Sequence, residues 1–174
     1  MKNLFILFIL VFTIVSQAQM RNNGVRQNGL PQVHDAPPKP NFQVEKQVGI
    51  VIYDVKKAVK KSGVKLSSKT GKTFSKTLES YNKSINDIKR INSFLLKSTK
   101  VMVESFQKKA IKTGDFSEQP RVYKKVQENL KPITETLKAE DKKLDKKVKN
   151  LLSKKQYKKW IKFNKKLNKI FPKE

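Results

Sequence analysis

Residues 72–113 read KTFSKTLESYNKSINDIKRINSFLLKSTKVMVESFQKKAIKT. Phe74, Leu78, Tyr81, Ile85, Ile88, Asn92, Leu95, Thr99, Met102 and Phe106 recur through this stretch with steps that alternate four and three. That alternation is the seam of a heptad. It predicts one long helix from about Lys72 to Thr113, ended by Gly114 and paired along its length with another helix. About 42 residues at 1.5 Å each span roughly 60 Å. A rod of that length does not fit inside a compact body built from the rest of the chain, so it is expected to stand out as an elongated arm. Two seam positions, Asn92 and Thr99, are polar, and the seam is expected to loosen there.

Working outward, the partner is the helix that follows. Asp115 or Ser117 starts it, and Pro120 is tolerated in its first turn. Val122, Val126, Leu130, Ile133, Leu137, Leu144, Val148 and Leu151 continue the apolar row. Pro132 is expected to bend it, and Glu140 to leave a weak spot between Leu137 and Leu144. A shorter helix precedes the arm, with Asp54 as N-cap and Gly63 just past its end. A last helix runs from about Lys154 to Ile170 on Tyr157, Trp160, Ile161, Asn164, Leu167, Ile170 and Phe171, and Pro172 stops it. Strand signals are confined to Val48–Tyr53, too short to build a sheet. The expected fold is all-α: an elongated helical hairpin with short first and last helices, about four helices in all, over residues 49–174.

Two further segments precede that domain. Residues 1–18 have the pattern of a signal peptide: Lys2, an apolar run from Leu4 to Val15, and small residues at Ser16 and Ala18 ahead of a cleavage site. The run is too short to span a membrane, so none remains once the signal is removed, and the product belongs in the periplasm or outside the cell. Residues 19–48, with Pro31, Pro37, Pro38 and Pro40 among Asn and Gly, read as a flexible tail.

The strongest local motif is Leu152-Ser153-Lys154-Lys155-Gln156-Tyr157. Ser153 stands as an N-cap and Gln156 at the third helical position, which is a capping box; Leu152 and Tyr157 hold the positions of a hydrophobic staple. Leu152, Ser153 and Gln156 resemble the Leu-Thr-x-x-Gln motif of the LTxxQ periplasmic proteins, the Spy and CpxP family, with Ser in place of Thr. A second copy of the motif would fall at Leu66-Ser67-Ser68-Lys69-Thr70, which lacks the Gln. The order of elements over residues 49–172 is also similar. The resemblance implies a thin all-α homodimer with a basic concave face, acting in envelope stress as an ATP-independent chaperone or sensor.

Composition excludes several classes. With 40 Lys+Arg against 14 Asp+Glu the net charge is +26, and there is no Cys and a single His. Disulfides, thiol nucleophiles and Cys-based zinc sites have no material, nor does a His-based metal centre or a Ser-His-Asp triad. The chain has no Gly-rich nucleotide motif. His34-Asp35 is a weak metal pair in the tail, and Glu140-Asp141 are adjacent and point apart. No enzyme, cofactor or metal is expected. From Lys138 to Glu174 there are 15 Lys and four acids. Like charges four apart on a helix cost stability, and a surface serving solubility alone would mix signs, so the excess points to an anionic partner. Lys142, Lys143, Lys146, Lys147, Lys154, Lys155, Lys158 and Lys159, with Trp160 and Phe163 between them, form the candidate client- or anion-binding face. Phe163 lies off the main stripe and is expected at the surface. Unfolded or acidic proteins fit such a face. An anionic lipid or glycan of the envelope is the alternative, with the chain in a structural or regulatory role. Export and the scarcity of Arg, four against 36 Lys, argue against nucleic acid.

Overall fold

The computed structural model describes residues 39–169 and Phe171. These form six helices and no strand: α1 (Val44–Val48), α2 (Val55–Lys61), α3 (Lys69–Ile91), α4 (Ser93–Thr113), α5 (Gln119–Leu151) and α6 (Lys154–Lys166). The all-α class stands, with six helices among the described residues in place of about four. α5 packs along both α3 and α4; α2 lies against α3 and α6, and α1 against α4 and α5. None of these helices is long and apolar enough to cross a membrane.

The segment read as a signal, 1–18, lies outside the described residues, as do residues 19–38 of the expected tail. The remainder of that tail belongs to the body. Phe42, Val44 and Val48 are buried, the Phe42 amide donates to Glu104 Oε1 at 3.0 Å, and Glu45 pairs with Lys89 at 3.0 Å. Three apolar side chains behind a proline-rich run suffice to dock the chain, so the folded part begins ahead of residue 49.

The expected 42-residue helix is two helices. It starts earlier, where Ser68 caps α3 by accepting from Gly71 N, and it breaks at Asn92, whose φ of −96° and ψ of 12° leave the helical basin. The Asn92 side chain donates to Ile88 O at 2.8 Å, the local competition for backbone acceptors that makes Asn a poor interior residue. Phe74, Leu78, Tyr81 and Ile85 are buried along the expected seam. Past the break the fully buried row is Leu96, Thr99, Val103 and Phe106, while Leu95 and Met102 are half-buried. An α-helix drifts about 20° per heptad against a strict 3.5-residue repeat, and after three heptads the row has moved on by one residue at Leu96 and Val103 while Thr99 and Phe106 hold their expected places. Thr99 does not loosen the seam: its Oγ1 accepts from Asn129 Nδ2 at 3.0 Å.

α5 starts at Gln119, later than Asp115 or Ser117, because those residues build the turn. Asp115 accepts from Ser117 N at 2.9 Å, and that bond holds its carboxyl below the usual carboxylate range. The helix runs unbroken through Pro132, which stands on the exposed side. Val122, Val126, Leu130, Ile133, Leu137, Leu144 and Val148 are buried as expected. The gap between Leu137 and Leu144 is filled by Asp141, with Glu140 at the edge.

Candidate functional site

The Ser153 motif forms the predicted cap. Ser153 Oγ accepts from Gln156 N, and Gln156 Oε1 accepts from Ser153 N at 3.1 Å. Leu152 is buried beneath it. Gln156 Nε2 also donates to Gly63 O at 3.4 Å, so the box ties the start of α6 to the turn that ends α2. The other copy is displaced. The cap is Ser68 rather than Ser67, and Gly71 holds the third helical position, where no side chain can reach back. Gly71 is buried, and a Cβ there would stand 2.0 Å from Lys65 O. Ser68 N donates instead to Lys65 O at 3.1 Å, and that bond takes the place of the missing half of the box.

α6 turns an aromatic face inward. Trp160 is fully buried, with ring centroids of Tyr53 at 5.1 Å, Phe74 at 5.4 Å, Phe171 at 6.0 Å and Phe163 at 6.2 Å. The placement of Trp160 on the candidate face is therefore corrected: it is core, as the helical spacing of its neighbours demands. Phe163 is half-buried against the same core rather than exposed. The helix also ends sooner than expected, at Lys166. Asn168 adopts a left-handed φ of 56°, Asn168 N donates to Lys165 O and Lys169 N to Asn164 O. This is a Schellman turn with Asn in the position usually held by Gly, and it folds the chain back on itself.

The reversal carries Lys169 inside. Its Nζ lies 2.7 Å from Asp141 Oδ1, with both side chains almost wholly buried, 2.8 Å from the Tyr81 hydroxyl and 3.2 Å from Gly49 O. Tyr81 donates to Asp141 at 2.7 Å, and the Tyr53 hydroxyl donates to Asn164 Oδ1. Burial, and after it the charge of Asp141, pushes both tyrosine hydroxyls well above their ordinary value. One charged knot thus joins the segment after α1, helices α3 and α5, and the end of the chain. Sequence reading missed it, because Lys169 is one of 36 lysines and Asp141 looks like a surface carboxylate in a charged run.

The eight candidate lysines are all exposed. Lys143 pairs with Glu140 at 2.7 Å; among the described residues the other seven meet no carboxylate at ion-pair distance. They are not gathered on one face. Lys143 and Lys147 border a shallow groove with Thr77, Ser80 and Ser84 of α3. By helical position Lys142 and Lys146 lie across α5 from its buried Leu144 and Val148, facing water. On α6, Lys155 and Lys158 stand opposite Trp160, and Lys159 lies over Gly63, its Nζ 2.9 Å from where a Cβ would stand. An ammonium there complements the carbonyl end of α2. The result is a coat of positive charge around the last two helices, able to attract anions without positioning one.

Comparison with family models, curated proteins and solved structures gives no match to this chain.

Proposed function

We propose that this chain is an exported, non-enzymatic binding protein. It holds acidic or unfolded polypeptides in the periplasm or outside the cell without ATP, in the manner of the LTxxQ proteins its Ser153 motif resembles. The observation that carries the reading is the charge of Lys142, Lys146, Lys147, Lys154, Lys155 and Lys158 on two consecutive helices, uncompensated among the described residues. Charge of one sign raises the local concentration of an opposite partner and speeds encounter, while apolar side chains left at the surface supply short-range grip. The paired helices α3, α4 and α5 are read as an elongated hairpin arm, and the working unit as a homodimer, which sedimentation equilibrium tests.

The direct test mixes purified protein with an aggregating acidic client, without nucleotide, at low salt. Stoichiometric protein is expected to suppress light scattering, and added salt to remove the effect. Unchanged aggregation at low salt contradicts the reading. A second reading, docking on anionic lipid or glycan, draws on the outward lysines of α5 and α6. Each lysine near an anionic bilayer contributes about 1 kcal/mol. Co-sedimentation with anionic but not neutral vesicles, together with no effect on clients, would favour it.

A further inference from the structure

The outer side of the arm carries a second apolar row. Ile91 is 73% exposed, Phe94 83% and Val101 52%. Phe94 and Val101, seven residues apart on α4, share the side directly opposite its buried row of Leu96, Thr99 and Val103, and Ile91, the last residue of α3, stands exposed just across the break. Ser98 and Ser105 lie on the same side and keep it low. Isolated apolar side chains on a surface are ordinary. Here two of the most exposed large ones flank the break at Asn92, and a third continues their line.

Charge decides what covers the row. Lys97 sits between Phe94 and Val101, three residues past one and four before the other. Among the described residues it has no carboxylate partner, whereas neighbouring Arg90 and Lys100 hold Asp87 and Glu104. α4 as a whole carries five Lys and one Glu. A second copy would bring the same positive helix against itself. Residues 1–38, with Lys2, Arg21 and Arg26 against Asp35, have the same sign.

We propose that Ile91, Phe94 and Val101, with Lys97 set among them, are a docking surface for an acidic amphipathic helix of another protein. Such a helix has one apolar row and carboxylates beside it. Knobs of its row pack between Phe94 and Val101, and a carboxylate meets Lys97. The inference rests on the binding reading above and deepens it: the lysine coat attracts, and this row selects partners with apolar side chains.

The probe is a synthetic helical peptide of Leu and Glu, titrated into the full chain by fluorescence anisotropy. The wild type is expected to bind it. Phe94→Ser with Ile91→Ser is expected to weaken binding about tenfold or more with helical circular dichroism unchanged, because neither side chain is in the core. Lys97→Glu is expected to weaken binding as well. Lys155→Glu with Lys158→Glu should cost less affinity, and the loss should vanish with salt. Equal affinity of the wild type and the Phe94/Ile91 variant overturns the proposal. So does equal competition by polyglutamate, which marks simple charge attraction. Loss of self-association in the variant with peptide binding retained assigns the row to a second copy and also overturns it. Failure of the binding reading is separate: peptide bound at this row by a protein that protects no aggregating client would sink that reading and leave this one standing.

Discussion

At Gly71 a single methyl group decides whether α3 can begin beneath the 65–66 backbone. A Cβ placed 2.0 Å from Lys65 O forces the chain apart, so Gly71→Ala is expected to cost about 1–3 kcal/mol, read as a lower thermal midpoint. Lys169 makes a sharper case. Lys169→Met leaves the Asp141 carboxylate buried beside Tyr81 without its counter-charge, and the expected loss is about 3–5 kcal/mol. Pairing it with Asp141→Leu should recover part of that loss, since an apolar pair of similar volume removes the stranded charge while the buried Tyr81 hydroxyl loses its acceptor; chemical denaturation of the single and double variants checks both. Neither residue was legible in the sequence for its actual role. Gly71 looked like chain ahead of a helix start, and what it avoids is a residue six positions away that only the fold brings near. Asp141 lies one position from the Glu140 to which a strict heptad assigned the gap, and helical drift decided between them. Trp160 was misplaced for a related reason: surrounding lysines dominate the local composition, while its spacing with Tyr157 and Asn164 pointed inward.

Both ends of α2, the end of α4 and the start of α6 were well read. Asp54 caps α2 by accepting from Lys57 N at 3.0 Å, Gly63 and Gly114 take left-handed conformations after α2 and α4, and the Ser153 box is complete. These devices are local, so the residues that make them are adjacent in sequence. Ser153→Ala should lower stability by about 1 kcal/mol in urea titration, and an unchanged midpoint would mean that α6 starts equally well without its cap. Interiors were read less well. The heptad steps across Asn92 continue without interruption, so periodicity alone carried the helix straight through a residue whose own amide captures Ile88 O. The end of α6 was missed because Asn168 does there what Gly does elsewhere, and the return it permits matters only once Asp141 is in place to receive Lys169.

On the scale of the whole molecule, the aromatic and ionic knot sets an alkaline limit. Tyr53 and Tyr81 have hydroxyl pKa values raised in the fold, first by burial and then by Asp141. Raised values favour the neutral form, so their contribution is full below the unfolded tyrosine value near 10 and declines as pH climbs above it. Tyrosinate absorbance of these two residues is expected to appear together with loss of helical circular dichroism above about pH 10; ionisation with the helices intact would contradict the burial. The all-helical class and the excess of positive charge were both readable from composition and periodicity, while the arrangement of that charge was not: Lys142 and Lys147 are five residues apart and lie on different sides of α5. The central claim is that a lysine coat with few acidic partners exists to hold something negative. The most direct measurement is the affinity of the full chain for an unfolded acidic polypeptide as ionic strength is raised, beside an unfolded basic polypeptide of equal length. Tight binding of the acidic chain at low salt, weakening steadily as salt increases, with none of the basic chain, is the predicted result; equal affinity for both, or no binding at low salt, would contradict it.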